Sequence, residues 1–299
     1  MIFALLTALC WSLGGFGSSR IARHYGSAPA NGMRLALASL VLGGIGVALG
    51  SSFLIPNRSW FLLAGFLHLC LGDLGLFAAY RRLGPRLGVL MVCSISPPVA
   101  LIGEWMVLGT TIEFTQLLCA AAILLMVTLA VAPRERRHLS PAELRIGIFA
   151  GIFSAVCQGV SAVVTRIAFD GIGETVPSWI PACYRVSAGA LGVGGFLLIL
   201  HLCGRSPFRQ PDELIPDKKV GGHPLGWMTI SVLLGPVLGM IFLMRALESA
   251  PAGLVQATLA TLPVFMIPVA WIFDGNVPSK RSLAAGSCAV ALTAVLILI

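Results

Sequence analysis

Two carboxylates, Asp73 and Glu104, lie inside long apolar runs of this 299-residue chain. An ionised carboxylate at the middle of a lipid bilayer costs about 2.5–3.5 kcal/mol on insertion scales, so both side chains should face the protein interior or water. Because desolvation favours the neutral form of a carboxyl group, each is a candidate proton carrier. The alternatives are structural: Asp73 can pair with Arg34, Arg81 or Arg82, and Glu104 can be a buried polar group.

Glu104 is the sharper candidate for proton coupling. It lies seven residues after Pro97, on the helix face toward which a proline kink opens, and no arginine is near it in sequence. We therefore expect its charge to lack a fixed partner unless a ligand, a proton or Arg185 supplies one.

Two arginines occupy equivalent places in the chain, Arg34 and Arg185. Each begins an apolar run and is followed nine and ten residues later by paired glycines. They are candidates for binding an anionic group or for locking two halves of the molecule together. The alternative is that both side chains extend to the membrane interface.

Aromatic and amide side chains complete the predicted ligand site. Trp11 aligns with Gln158, since each follows a matched cysteine, and Gln256 lies seven residues before a proline. An aromatic face beside a cavity suits stacking or cation–π contact, although each of the three can be plain packing. His68, alone on an apolar run, is interpreted as a hydrogen-bonded packing residue.

An internal duplication organises these residues. The skeleton Pro-x11-Pro-x7-Trp-x3-Gly occurs twice, and each copy is preceded by an arginine with paired glycines and by a Cys followed by Arg-Ile-Ala. The two copies of the skeleton are Pro85, Pro97, Trp105, Gly109 and Pro251, Pro263, Trp271, Gly275. Matched blocks in the same order indicate two repeats, which in strongly apolar sequence favours a membrane transporter.

The composition requires a membrane. The chain is 57% hydrophobic and 11% charged, whereas soluble domains have about 25% charged residues. Runs of roughly 20 apolar residues are long enough to cross about 30 Å of hydrocarbon as helices. We predict an all-α membrane protein with ten such spans: 2–20, 32–52, 59–80, 86–108, 114–132, 146–168, 178–203, 225–245, 251–273 and 281–299.

Five spans in each repeat make the second copy inverted relative to the first, because an odd number of crossings ends on the opposite side. The predicted repeats are residues 1–132 and 146–299, joined by the charged linker 133–145. Within this linker, Ser140 to Glu143 matches a helix capping box with proline at the first helical position.

Positive charges predict an orientation. Fifteen of the twenty Lys and Arg residues fall in the connections after spans 1, 3, 5, 7 and 9, against Arg58, Arg166 and Arg245 in the opposite set. The positive-inside rule places the richer set in the cytoplasm and both termini outside. The basic residues form no patch interleaved with aromatic residues, so we expect the lipid bilayer and not nucleic acid as partner.

Prolines inside spans four and nine predict helix breaks. Each removes an intrahelical hydrogen bond and kinks its helix. Matched breaks in inverted halves are typical of helices that line a transport site. The candidate hinge residues are Pro97, Pro98, Pro263 and Pro268.

Several segments resemble a known family. The sequence Ala79–Pro85 with the apolar run to Pro97, the segment Ala8–Gly14 and the segment around Arg34 resemble the drug/metabolite transporter superfamily, in particular its EamA-type ten-helix members. The resemblance covers essentially the whole chain. It implies a secondary exporter or exchanger of small metabolites or amphipathic drugs, with a central cavity between inverted halves and both termini inside the cell.

The chain also departs from that family's pattern. Members often carry an acidic residue after the glycine that ends span four and again after span nine, where this chain has Thr110 and Asn276. The resemblance therefore does not carry over a coupling mechanism, and protons are expected as the coupling ion only on the evidence of the intramembrane carboxylates.

Other classes lack their motifs. The sequence has no phosphate-binding loop, no His-Glu-x-x-His helix and no Cys-x-x-Cys, so we expect neither an enzyme nor a cofactor or metal site. The alternative to a transporter is a channel or a non-transporting structural membrane subunit. Few basic residues lie within the spans, which favours an amino acid, an aromatic metabolite or a lipophilic cation over a nucleotide sugar.

The predicted arrangement puts spans 1–4 and 6–9 around the cavity and spans 5 and 10 at the periphery, in the plasma membrane. From it we predict that Glu104→Gln removes the pH dependence of transport, and that Asp73→Asn slows transport but keeps the pH profile.

Overall fold

The structure, a computed structural model, describes residues 1–83, 85–131, 140–170, 172, 176–204, 223–274 and 279–298. Most of the predicted linker lies outside them, as do Gly275 and Asn276. Throughout the described ranges the regular elements are helices, which confirms the predicted all-α class. They are α1 Ile2–Tyr25, α2 Ser27–Ala48, α3 Arg58–Gly65, α4 Asp73–Leu83, α5 Pro85–Leu108, α6 Phe114–Val131, α7 Pro141–Phe169, α8 Trp179–Leu202, α9 Pro224–Val232, α10 Met240–Ser249, α11 Ala252–Leu259, α12 Leu262–Asp274 and α13 Lys280–Leu298.

Eight helical stretches of the described chain are long and apolar enough to cross a membrane, and Phe114–Ala130 forms a shorter apolar helix. Two of the eight, Arg58–Tyr80 and Pro224–Ser249, run through several of the elements above without leaving helical geometry. These lengths and compositions are those of a polytopic membrane protein.

Each of these two stretches contains a seven-residue π-helical segment. The first π segment is Phe66–Gly72, between α3 and α4, and the second is Leu233–Gly239, between α9 and α10. A π-helix widens the helical turn and is frequent at functional sites. The two segments occupy corresponding places in the predicted third and eighth spans.

Helix α7 begins as the sequence predicts. Ser140 Oγ accepts a hydrogen bond from the Glu143 backbone N–H, the Glu143 carboxylate accepts one from the Ser140 backbone N–H, and Pro141 is the first helical residue. This reciprocal pair satisfies donors that a helix start otherwise leaves open.

The prolines of the predicted fourth and ninth spans act differently. A turn at Ala260–Thr261 separates α11 from α12, and Pro263 lies in the first turn of α12, where its missing N–H costs nothing. Helix α5 instead runs through Pro97 and Pro98 from Pro85 to Leu108. The interrupted helix therefore occurs in one of the two matched places.

Helices of the two halves pack against each other in a repeated pattern. Helix α2 packs on α8, α1 packs on the stretch from α9 to α12, and α7 packs correspondingly on the stretch from α3 to α5. Helices α6 and α13 pack mainly on one another. The centre of the molecule is thus enclosed by α1 and α7 with their partners.

Candidate binding cavity

A cavity of about 540 Å³ lies between the two halves. Its described lining comes from α1, α2, both π segments, α4, α5, α7, α10, α11 and α12. No described residue of α6, α8 or α13 lines it. Spans five and ten are thus away from the cavity, as expected, but the expectation that span seven (α8) lines it is wrong.

The charged wall of the cavity is built by Arg34 and Asp73. Arg34 Nη2 lies 3.5 Å from Asp73 Oδ2 and donates to Asn31 Oδ1 at 2.7 Å, while Asn31 Nδ2 donates to Asp73 Oδ2 at 3.1 Å. Arg34 Nη1 donates to Ser18 Oγ at 3.0 Å. Arg34 therefore points into the protein and not to the membrane interface, and it is one of the three arginines predicted as partners of Asp73.

The side-chain amides of Gln158 and Gln256 form a second polar cluster of the cavity, on helices other than those that carry Arg34 and Asp73. Ser96 Oγ donates to Gln256 Oε1 at 3.3 Å, and Gln158 Nε2 donates to Ser154 Oγ at 3.4 Å. Ser96, Gln158 and Gln256 all line the cavity. Their positions on α5, α7 and α11 let one ligand contact several elements at once.

Trp11 provides an aromatic wall. Its indole Nε1 donates to the Gly235 carbonyl oxygen at 3.1 Å, inside the second π segment, and its ring meets the His68 ring edge-on at 5.6 Å between centroids. His68 also lines the cavity. Sequence reasoning treated His68 as packing, and its position near the Arg34–Asp73 pair has no signal in the local sequence.

Arg185 lies one layer behind the cavity. It is 1% exposed, donates to Thr165 Oγ1 and, at 2.9 Å, to Ser161 Oγ, and places Nη2 3.2 Å from His68 Nδ1. Arg185 is equivalent to Arg34 in the repeat, but unlike Arg34 it does not reach the cavity surface.

Glu104 is also away from the cavity, and the expectation that its charge has no fixed partner is wrong. Its Oε1 lies 3.1 Å from Arg166 Nε, and its Oε2 accepts a hydrogen bond from the Ala252 backbone N–H. Arg166 also donates to the carbonyls of Leu247 and Glu248 at 2.8 and 3.0 Å. We call Glu104, Arg166 and the chain segment 247–252 the latch, because it joins α5, α7, α10 and α11.

A second, open cavity of about 610 Å³ lies beyond the latch. Arg166, Asp170, Arg245 and Glu248 contribute charged groups to it, and Arg245 pairs with Glu248 at 2.7 Å. We call it the vestibule. Arg166 therefore pairs with the buried Glu104 on one side and lines the vestibule on the other.

None of the four predicted hinge prolines lines the cavity. Pro97 follows the lining residue Ser96, and Pro263 follows the lining residue Leu262. Pro268 lies inside α12. The hinge role of the prolines remains a prediction, based on this adjacency.

The fold and the cavity define a class: a multi-pass helical membrane protein that encloses a mainly apolar, ligand-sized space, with a few polar groups on its walls, between two similar halves. A family model described as the EamA-like transporter family matches residues 1–132 and 145–299, and the chain belongs to this family. This confirms the resemblance found in the sequence, and a transporter family fits a role other than catalysis.

No curated protein matches the chain. Among solved structures, one entitled "Crystal structure of protein" superposes with a TM-score of 0.75 at 17% sequence identity, over 99% of this chain and 96% of that chain. At this identity the likeness shows the fold alone.

Proposed function

We propose that this protein is a secondary active transporter, an exporter or exchanger of small zwitterionic or amphipathic metabolites, working by alternating access between two inverted halves of five membrane-spanning helices. The observation that carries the proposal is the central cavity, with its Arg34–Asp73 pair on one wall and the latch on one side of it only. Membership of a transporter family supports it.

The duplication on which the inverted arrangement depends is supported by contacts that recur in both halves. Arg34 donates to Ser18 on α1, and Arg185 donates to Thr165 on α7. Ser18 and Thr165 each lie eight residues after the matched cysteines Cys10 and Cys157 (18 − 10 and 165 − 157). The same hydrogen bond thus connects the second span to the first within each repeat, as a duplicated unit requires.

The cavity is asymmetric along the membrane normal. Its lining includes the C-terminal part of α1, the first turns of α2, α4 as far as Tyr80 and the first half of α5. These elements meet at the end that carries the connections after α1 and α4, which we call the mouth. Glu104 lies eight residues beyond Ser96 on α5, about 12 Å farther from the mouth at 1.5 Å per residue.

The latch is therefore proposed as the closed gate of this state. Opening it would connect the cavity to the vestibule, and closing the mouth would complete the exchange of access. The connections at the mouth belong to the set that is rich in Lys and Arg, so we propose that the mouth faces the cytoplasm and that the membrane is the plasma membrane.

The lining suggests the substrate class. Its volume falls in the range of about 300–1,000 Å³ that is usual for small-molecule sites, and Arg34 is the single Lys or Arg among the described lining residues. A phosphate-rich ligand would find few partners there. A zwitterion with an apolar body can place opposite charges on Arg34 and Asp73 and its body on the apolar remainder.

Counterflow in proteoliposomes tests the proposal. Vesicles preloaded with unlabelled L-phenylalanine should accumulate labelled L-phenylalanine transiently and saturably, because a carrier exchanges faster than it returns empty. The double variant Arg34→Ala/Asp73→Ala is the control and should lose this exchange. Flux without saturation or trans-stimulation would instead identify a channel, and a panel of related zwitterions without any flux would indicate a structural subunit.

A further inference from the structure

His68 is held from behind by Arg185 and faces the cavity in front. A guanidinium has N–H donors and no acceptor. The Arg185 Nη2 atom lies 3.2 Å from His68 Nδ1, so Nδ1 accepts this hydrogen bond. The hydrogen of the neutral imidazole is then on Nε2, and Arg185 fixes the tautomer.

Arg185 is itself held firmly enough to do this. Arg185 donates its other hydrogen bonds to Thr165 and Ser161, which lie on α7, and Arg185 is 1% exposed. Gly65 also lets the backbone of α3 touch the backbone of Arg185, because a side chain at position 65 would overlap the Arg185 backbone. The backbone of Arg185 is thus fixed by the close approach of α3, and its guanidinium is held by the two hydroxyl groups of α7.

The Nε2 atom is the part of His68 that is left for a ligand. Within the described chain, the hydrogen bond that the ring makes is the one at Nδ1. Nε2 is not among the fully buried side-chain atoms that lack a partner, which are Arg34 Nε and Arg185 Nε. Because His68 lines the cavity, its unpaired Nε2–H reaches cavity space.

The neighbouring aromatic residue does not offer the same group. Trp11 already donates its indole N–H to the Gly235 carbonyl oxygen, so it presents apolar ring surface. The third residue of the first π segment is His68, whereas the third residue of the second is Gly235. The N–H donor is therefore present on one wall of the cavity and absent from its counterpart.

We propose that His68 Nε2–H donates a hydrogen bond to a carboxylate of the transported ligand, with Arg185 as the positioning residue that fixes the tautomer. Arg34 lines the same cavity and supplies the positive charge that a carboxylate requires. The apolar part of the ligand lies against Trp11. This inference rests on the proposed function, because it requires that the ligand occupies this cavity.

Two matched ligands and two matched variants test it. L-Phenylalanine and phenethylamine differ by the carboxylate, and their affinities for purified protein are measured by ligand-induced thermal stabilisation. His68→Asn keeps an acceptor near the Nδ1 position but has no donor near Nε2, whereas His68→Gln places an amide N–H near Nε2. We expect His68→Asn to bind L-phenylalanine about tenfold or more weakly, with phenethylamine unchanged, and His68→Gln to keep most of the affinity.

Equal losses for both ligands in His68→Asn, or a wild-type protein that does not prefer L-phenylalanine, would overturn the inference. A wild type that exchanges phenethylamine alone in counterflow would overturn it and leave the proposed function standing. Carboxylate-selective binding without counterflow would support the role of His68 and overturn the proposed transport function.

A spectroscopic measurement tests the positioning role of Arg185. In protein labelled with ¹⁵N-histidine, the His68 signals, assigned by their loss in His68→Gln, should show one tautomer with the proton on Nε2. Arg185→Met should give mixed tautomers and lose the preference for L-phenylalanine. A single Nε2–H tautomer that persists in Arg185→Met would contradict the role assigned to Arg185.

Discussion

Glu104 Oε1 and Arg166 Nε lie 3.1 Å apart and join α5 to α7 on the side of the cavity away from its mouth. Glu104 is 1% exposed, and its second oxygen binds the first N–H of α11. One carboxylate thus connects three helices. Removing one partner of a buried ion pair is strongly destabilising, and because the Arg166 side chain is 23% exposed the loss here should be smaller than for a fully buried pair.

Removing this carboxylate should open the vestibule side. In Glu104→Gln we expect the cavity residue Cys93 to react about tenfold faster with a membrane-impermeant maleimide added on the vestibule side. The substitution removes an ion pair that exists only while the latch is closed, so it raises the population of the state that is open to the vestibule. Mass spectrometry of the Cys93 peptide in oriented vesicles measures the rate.

The matched control for this experiment is Glu248→Gln. Its carboxylate pairs with Arg245 in the vestibule, where both side chains are partly exposed, at 20% and 50%. Exposed pairs contribute about 0–1 kcal/mol, so labelling should not change. Unchanged labelling in Glu104→Gln, or equal acceleration in both variants, would remove the gating role of the latch.

Asp73, and not Glu104, is now the expected site of pH dependence. Protonating a carboxylate removes the charge that attracts an ammonium group, so affinity for phenethylamine should fall as the pH is lowered. Asp73→Asn should bind this cation about 10- to 100-fold more weakly at high pH, with little remaining dependence on pH.

Glu104→Gln is the control here, because Arg166 and the Ala252 N–H already occupy its oxygens. It should keep the pH dependence of phenethylamine binding, contrary to the prediction from sequence. Calorimetric titrations with phenethylamine at several pH values distinguish the Asp73→Asn variant from the Glu104→Gln variant. Loss of pH dependence in Glu104→Gln alone would restore the sequence-based hypothesis.

The sequence predicts the contents of the cavity better than its surroundings. Polar or aromatic groups in apolar spans must face the interior, which predicts five site residues that the structure brings to the cavity: Trp11, Arg34, Asp73, Gln158 and Gln256. Their roles in transport remain proposals.

The same rule predicts Glu104 and Arg185 as site residues, but both lie in buried contacts outside the cavity. The rule predicts that a polar side chain avoids lipid; it does not distinguish a cavity from another helix. The partner of Glu104 is 62 residues away on α7, and nothing near either residue indicates the pairing.

The two π segments were not predicted, because a widened turn depends on what packs against it. Gly72 and Gly239 end these segments and face Gln158 and Trp11, which are themselves matched residues. Gly72 lies thirteen residues before Pro85 and Gly239 lies twelve residues before the matched Pro251 (85 − 72 and 251 − 239), so the repeat alignment brings the two glycines within one residue of each other.

Substituting these two glycines should have unequal effects. A Cβ at Gly239 would overlap the Trp11 ring, whereas one at Gly72 would meet Leu67 O at 3.2 Å and Gln158 Cγ at 3.5 Å. Overpacking a filled site costs about 1–3 kcal/mol, so Gly239→Ala should lower the melting temperature and Gly72→Ala should lower it less.

The Trp11→Ala background provides the internal control for this pair. Once the ring is removed, Gly239→Ala should destabilise the protein less, although the new Cβ still meets Leu234 O at 2.9 Å, and a double-mutant cycle of thermal unfolding in detergent gives the coupling. Independent effects of the two substitutions would show that the ring does not pack on this turn.

The contact between Gly65 and Arg185 gives the last prediction. A Cβ at Gly65 would overlap the backbone of Arg185, so Gly65→Ala must move α3 away from α8, as expected where small residues let membrane helices approach closely. Because His68 follows three residues later, the change should weaken its contact with Arg185 as well as the packing. We expect a clear loss of thermal stability together with a loss of the preference for L-phenylalanine over phenethylamine.

The matched substitution is Gly44→Ala in α2, where no atom lies within 4 Å of the new Cβ. Since alanine is favoured over glycine in a helix by about 1 kcal/mol, Gly44→Ala should be neutral or stabilising. A Gly65→Ala protein with unchanged melting temperature and unchanged ligand preference would show that α3 and α8 are farther apart in the membrane than this packing requires.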